Sequence, residues 1–489
     1  MTGNGENSPL NKIGRRSFLS LVAGGVGAAS WYGLRPPSSR HISGSIVGAS
    51  RELGHRLRSG PLHPPEEVHD VPIVIAGGGI AGLSAGWKLH RSGVKDFALL
   101  ELEEEVGGNS RSGESPVGSY PWAAHYVPVP NGDSTAVREL FEELGVIVDY
   151  QNGRPVCNPR YICHSPQERL YQYGRWVEGI FPRLGLTPEE GSQVAAFDRR
   201  MTWYRNFRDS EGKSAFTIPI EKCSRDAQIL ELDTISMKTF LDRNGWTSPR
   251  LRWFVDYCCR DDYGCTLENT SAWAGIHYFS SREVADPEVL TWPEGNGWIV
   301  KGIRKRIGGQ IRTRSLVHRI KAEGDFVHVD FIDARSEKSI RYRARHVVFA
   351  LPRFVARYVM PEVPLPGSKQ FTYAPWMVAN LTVDKLPDES HWDNVLFGSQ
   401  SLGYVTSTHQ NLRMAGGPSV LTYYQPISDR SPREGRKLMS DRSWENWRDR
   451  IMLDLHRAHP DIHDVVSNID VMLLGHAMIR PTPGFIWGK

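Results

Sequence analysis

The first clear hydrophobic pattern along the chain lies in residues 71–102. Val71–Ala76 is short, apolar and rich in β-branched side chains, the signature of a strand buried on both faces. A helical pattern over about Ala81 to Ser92 follows and stops at Gly93; Phe97–Leu102 is a second apolar strand. Later, Thr135–Leu144 reads as a helix, and Met377–Val383 and Val420–Tyr424 read as strands of a sheet. Trp203, Tyr204 and Phe207 stand at near-helical spacing, as ordinary core or as the lining of a substrate cavity. Residues 32–69 have no sustained period. Pro36, Pro37, Pro61, Pro64 and Pro65 fall among Ser, Gly and Arg, which predicts a linker and leaves residues 1–69 outside the catalytic fold.

The turn between the first strand and helix carries the most chemistry. Gly77, Gly79 and Gly82 fall at G-x-G-x-x-G spacing. The first permits a tight turn, the second lets backbone approach a pyrophosphate, and the third lets the helix pack close to the sheet. The helix start, with Ile80 and Ala81, points free N–H groups and the positive end of the helix dipole at the phosphates. Glu101, at the end of the second strand, is placed to accept hydrogen bonds from ribose hydroxyls. Strand, helix and acid together predict a dinucleotide cradle.

Composition narrows the rest. The 489 residues are 40% hydrophobic, enough for a substantial core. The net charge of +4 sits mostly in residues 1–70, so a nucleic-acid role has little support. The basic run Lys301–Arg314 reads as the wet face of a helix and an edge strand, with a phosphate-binding surface as the alternative. Six cysteines do not make a disulfide framework; a bridge from the Cys258–Cys259 pair to Cys265 is one option, buried thiols the other. The 17 histidines show no metal-ligand spacing, and no metal is predicted. No G-x-S-x-G elbow is present.

After Glu101 comes Glu105-Val106-Gly107-Gly108-Asn109-Ser110-Arg111, which resembles the second glycine pair of the flavin amine oxidase and phytoene desaturase superfamily. Its usual form there is R-x-G-G-R; Glu105 and Asn109 stand in the two arginine places, and Arg111 follows two residues later. Gly308–Ala350 resembles the strand pair that closes the superfamily's FAD domain, and Trp292–Trp298 its glycine turn into a helix. The resemblance implies FAD as cofactor, bound by Gly77, Gly79, Ile80, Ala81, Gly82, Glu101, Gly107, Gly108 and Arg111, with the Val317 backbone at the adenine. It implies an α/β fold: a Rossmann-like FAD-binding domain (70–130 and 288–355) interrupted by a mixed α+β substrate domain (131–287 and 356–470). Members of the superfamily continue into a third FAD segment with a Gly-Asp pair. Residues 471–489 resemble the region just before it, and no such pair occurs in the last hundred residues.

The function implied is an amine-oxidase-like FAD-dependent oxidoreductase that passes hydride from a substrate C–H to flavin N5. The substrate is a small molecule, an amine being the leading case. His125 and Tyr126, in Tyr120–Tyr126 directly after the second glycine pair, are the catalytic candidates: His125 for proton handling or a hydrogen bond to substrate or flavin, Tyr126 as cavity wall. A packed aromatic turn with His125 satisfied by backbone is the alternative. Three other readings stay open: a non-catalytic or partner-dependent remnant of the flavoprotein fold, a polyene desaturase or isomerase, and an NAD-dependent dehydrogenase. At the N-terminus, Gly14–Leu19 (GRRSFL) resembles the twin-arginine export signal, followed by the weakly apolar Leu19–Trp31. The expected address is periplasmic or extracytoplasmic through the twin-arginine machinery, with a membrane tether if the leader stays uncleaved.

Overall fold

The strand–turn–helix–strand unit is present, its ends shifted by one or two residues from the sequence pattern: Ile73–Ala76, Ile80–Arg91 and Ala98–Leu100. This is seen in a computed structural model that describes residues 40–59, 62–164, 167–282, 288–386, 391–410 and 417–488. The chain divides into a unit ending at His41 and a unit running from Ile42 to Lys489. The architecture below is that of the second. The twin-arginine motif and the apolar run after it lie outside the described residues.

The two strands belong to a four-stranded sheet in the order Ile311–Arg312, Ala98–Leu100, Ile73–Ala76, His346–Phe349, with every pairing parallel. Both faces are covered, as a β-branched apolar run requires. On one side Ile75 and Leu99 pack with Leu83 and Trp87 of the helix and Ile303 of the helix Gly297–Ile307. On the other, Val74, Ala76 and Leu100 meet Val317, Val329 and Phe331 of a second sheet. That sheet is Ser315–Glu323, Phe326–Asp333 and Ser339–Ala344, antiparallel, extended by Glu67–Asp70 in parallel with the last. The basic run Lys301–Arg314 thus spans the end of a helix and the edge strand Ile311–Arg312.

A mixed eight-stranded sheet forms the other large layer: Ile46–Val47, Val466–Ile479, Tyr373–Val383, Ser419–Pro426, Gly403–Thr406, Asp393–Leu396, Glu168–Gln172 and Arg175–Glu178. It contains both strands expected at 377–383 and 420–424. A helical region built from Pro188–Asn206, Met237–Arg243, Pro249–Tyr263 and Ala272–Ser280 shares one core. Tyr204 is buried in that core, Phe207 packs against it, and Trp203 is exposed; none of the three lines the large cavity described below. No disulfide joins any of the six cysteines, all of them buried, so the bridge to Cys265 is absent.

The linker expected through residue 69 is corrected from Ile42 onward. Ile46–Val47 pairs with Val471 and Met472, the helix Arg51–His55 buries Leu53 against Leu316 and Ile332, and Glu67–Asp70 completes the second sheet. A two-residue strand and a five-residue helix are too short to show a period, and Pro64 and Pro65 punctuate the chain just before Glu67–Asp70 rather than dissolving it. Among the described residues no helix is long and apolar enough to cross a membrane.

Candidate functional site

The glycine turn is held by backbone. Gly77 adopts φ +109°, and a Cβ there would meet the Ala350 carbonyl oxygen at 2.6 Å. Gly82 has no room for a methyl because its Cβ would fall 1.9 Å from the Gly77 oxygen. Gly79 differs. Its φ is −68°, which any residue adopts, and no protein atom lies within 4 Å of a Cβ built on it. Neither conformation nor packing calls for glycine at 79. What remains is close approach of something that is not protein. Gly79 is also the N-cap of the helix Ile80–Arg91, no side chain caps it, and Ile80 and Ala81 are exposed. The first-turn N–H groups are therefore open to an anion.

The second glycine pair sits against the first. The Gly107 N–H donates to the Gly78 oxygen (2.8 Å), and a Cβ on Gly108 would lie 3.3 Å from Gly79 Cα. Glu101 is buried beside them; its carboxylate accepts from the N–H groups of Gly78 and Glu103, each at 2.8 Å. Burial raises its pKa and the two backbone donors oppose that rise. Each oxygen keeps lone-pair capacity for a further donor such as a sugar hydroxyl. Arg111 donates to the Gly108 oxygen (3.3 Å) and stands 3.9 Å from Glu103. Val317 is buried in the apolar layer with Val74 and Leu100, two residues beyond Ser315, whose N–H donates to the Glu101 carbonyl oxygen (2.7 Å). A cationic group gathers past the end of His346–Phe349. There His476 stacks on Phe354 at 4.3 Å, and its pKa is pushed down to about 4 by burial and by Arg436, Arg58, His55 and Arg357. Open glycine, uncapped helix and buried acid together fit a dinucleotide.

From the glycine pair the chain leads straight into a cavity. The Ala124 N–H donates to the Asn109 oxygen (2.9 Å), the Trp122 N–H to the Arg111 oxygen (3.0 Å), and the Asn109 side chain to the Ala477 oxygen (2.7 Å). Asn109, Ala123, Ala124, His125 and Tyr126 all line a cavity of about 290 Å³. His125 stacks on Tyr424 (4.9 Å, 26°), and its Nδ1 lies 3.2 Å from the Ala123 oxygen. Burial lowers its pKa to about 4, so the ring is neutral at ordinary pH. The Tyr126 hydroxyl accepts from Arg282 (3.2 Å), and burial raises its pKa. The turn is aromatic, His125 is satisfied by backbone, and the same residues face the cavity.

The sequence did not single out the opposite wall. Glu168, Asp261, Asp262 and Asp393 line the same cavity, with Arg282 as the cation among them. Burial leads the rise in every case, taking Asp261 up to about 7 and Asp262 to about 6; Asp393 and Glu168 are raised as well. Tyr257, Tyr278, Trp376 and Trp392 complete the walls. The one local signal was the adjacent Asp261-Asp262 pair between Tyr257 and Tyr263 on a helix. Among the described residues no group of His, Cys, Asp and Glu is arranged to hold a metal ion.

Known proteins share this fold. Residues 80–471 match the profile of the family described as flavin-containing amine oxidoreductase. A flavin-containing amine oxidase of Oncorhynchus mykiss is 24% identical over 306 residues, covering 60% of this chain and 52% of the relative. The chain thus spans about half the length of the curated relatives it matches. A putrescine oxidase solved with putrescine superposes with a TM-score of 0.58 at 14% identity, covering 80% of this chain and 82% of that one. A fatty acid isomerase from P. acnes gives 0.58 at 17%, covering 83% and 86%. These likenesses establish the α/β flavoprotein fold, and the flavin of the family accords with FAD as the dinucleotide. The match over four-fifths of its length places this chain in the flavin-containing amine oxidoreductase family.

Proposed function

We propose that the protein is an FAD-dependent oxidoreductase acting on a small amine. The observation that carries this reading is the continuity of the two sites: one run of backbone, Gly107 to Tyr126, is both the second wall of the glycine cradle and the floor of an aromatic, acid-lined cavity. Gly77, Gly79, the first turn of Ile80–Arg91, Glu101 and the Gly107–Gly108 pair would hold the nucleotide. When bound there, FAD supplies a two-electron acceptor for a hydride from the substrate carbon.

The chain's own residues do the rest. Tyr126, Tyr424, Trp376 and Trp392 exclude water and provide faces that attract a cation. His125, neutral at working pH, offers a ring nitrogen as a hydrogen-bond acceptor to the substrate. The carboxylates draw positively charged molecules in and keep anions out. That selection argues against a fatty-acid anion, the substrate class suggested by the name of the P. acnes neighbour. The two-arginine leader adds a proposed address, export in the folded, cofactor-loaded state.

The test is optical. Protein purified from the cytoplasm is expected to show a flavin spectrum, or to gain one with added FAD, and to bleach anaerobically on addition of an amine. A folded protein that never takes up FAD would favour the non-catalytic remnant. A loaded protein bleached by polyenes and by no amine would move it to the desaturase class.

A further inference from the structure

A second cavity lies close to the first and has no part in the chemistry above. It encloses about 260 Å³, nearly the volume of the substrate cavity. Val47, Gly48 and Ser50 form one wall, the loop Glu103–Glu105 another, and Met472 of the long strand Val466–Ile479 a third. The floor is the hairpin that follows the second glycine pair, with Arg111 on one arm and Tyr120 and Trp122 on the other.

The unmet hydrogen-bonding capacity of this cavity lies in donors. Tyr120 and Trp122 are 8% and 9% exposed, their rings edge to face at 5.4 Å. A buried tyrosine O–H or tryptophan N–H ordinarily finds a partner. Among the described residues neither of these side chains has one. Arg111 adds a guanidinium whose terminal nitrogens make only long contacts, 3.9 Å to Glu103 and 4.0 Å to the Met472 sulfur. The carboxylates, by contrast, are engaged. Glu103 accepts from the N–H and hydroxyl of Ser50, Asp470 from the Ser45 N–H and the Asn468 side chain, and Glu104 pairs with Arg314 and Arg335. Their charge turns an anion away. A cation would leave the three donors without an acceptor. A neutral planar ring with carbonyl oxygens satisfies them and lies against the aromatic faces.

Position gives such a ring a task. Trp122 is two residues from Ala124, which lines the substrate cavity, and two extended residues span about 7 Å. Amine oxidation leaves two electrons and two protons on the flavin, and the next turnover requires their removal. Resting on the flavin reading above, we infer that this second cavity is the site of the electron acceptor, a small quinone held by Tyr120, Trp122 and Arg111 through its carbonyl oxygens. The two electrons and two protons convert the quinone to its hydroquinone, each C=O becoming C–OH, and the flavin returns to its oxidised form. The amine keeps its own cavity throughout.

The experiment measures binding first, independent of turnover. Full-length protein, with and without FAD, is dialysed to equilibrium against tetramethyl-1,4-benzoquinone, whose full substitution spares the thiols, and against tetramethylbenzene and phenyltrimethylammonium. The quinone is expected to bind about 10-fold tighter than the hydrocarbon, the worth of roughly one buried hydrogen bond. Tyr120→Phe and Trp122→Phe are each expected to weaken the quinone by about that factor. Hydrocarbon binding and the melting curve should stay as in the parent, which separates a lost donor from a lost fold. Equal affinity for quinone and hydrocarbon overturns the site. So does a quinone affinity that survives both substitutions, or tighter binding of the ammonium ion. Reoxidation is read on loaded protein reduced anaerobically with dithionite, so that no amine is involved. Limiting quinone should restore the oxidised flavin spectrum in the parent and do so more slowly in both variants; equal rates overturn the acceptor role. A quinone that binds and reoxidises by these rules, in a protein that no amine bleaches, leaves the site standing and removes the amine reading. Bleaching by an amine in a protein that binds no quinone does the reverse.

Discussion

Replacing Gly79 by alanine separates the needs of the fold from the needs of a ligand. The backbone at Gly79 (φ −68°) accepts any residue, and an added Cβ touches no protein atom within 4 Å. Alanine there restricts the unfolded chain, worth about 0.4–1 kcal/mol, and is a poorer N-cap than glycine, which costs about as much, so stability should stay within about 1 kcal/mol of the parent. Flavin binding should fall further. The methyl would occupy the space in which a diphosphate reaches the first-turn N–H groups. Losing one charge-assisted hydrogen bond costs about 1.5–3 kcal/mol, which is roughly a 10- to 150-fold weaker Kd. Gly82→Ala is the control. Its Cβ would lie 1.9 Å from the Gly77 oxygen, and the overpacking should destabilise the apoprotein by about 1–3 kcal/mol or more. Urea unfolding of the apoproteins and FAD titration followed by flavin fluorescence read both quantities. A Gly79→Ala protein that binds FAD as the parent does would refute the placement of the diphosphate over this turn.

Asp261→Asn tests the electrostatics of the cavity. Burial and Asp262 raise the Asp261 pKa to about 7 from the ordinary carboxylate value of 3.8. The folded state therefore holds this proton more tightly, and the associated stability is present at low pH and lost between about pH 4 and 7. The variant should melt higher than the parent at pH 8 and no higher at pH 4; a constant difference across that range counts against the shift. Leu53→Ala should lower stability by about 2 kcal/mol in urea, because Leu53 is buried on Leu316 and Ile332; no change would return residues 42–59 to the status of a linker. Replacing Arg15 and Arg16 together by lysine should leave folded, flavin-loaded protein in the cytoplasm, read by fractionation; undiminished export would dismiss the twin-arginine signal.

The cradle was legible because its constraints are local. A β-branched run with both faces covered, three glycines at fixed spacing and an acid at the next strand end are consequences of one turn, and a turn is set by neighbours in sequence. The distinction among its glycines was not: Gly82 is demanded by the Gly77 carbonyl, whereas Gly79 is demanded by nothing in the protein, and only coordinates show that difference. Short elements before residue 70 escaped notice because a strand of two residues carries no period, and its meaning comes from pairing with Val471 and Met472 more than four hundred residues away.

The sequence by itself determined the nucleotide-binding unit, the second glycine pair and the placing of His125 and Tyr126 just beyond it. Only the tertiary structure brought Glu168, Asp261, Asp262 and Asp393 to one wall facing them. Those acids come from a helix and from two strands separated by more than two hundred residues. Apart from the adjacency of Asp261 and Asp262 between Tyr257 and Tyr263, nothing near them in sequence distinguishes them from solvated surface charges. Their chemistry arises from mutual distance and shared burial, and those exist only once sheet and helix have packed.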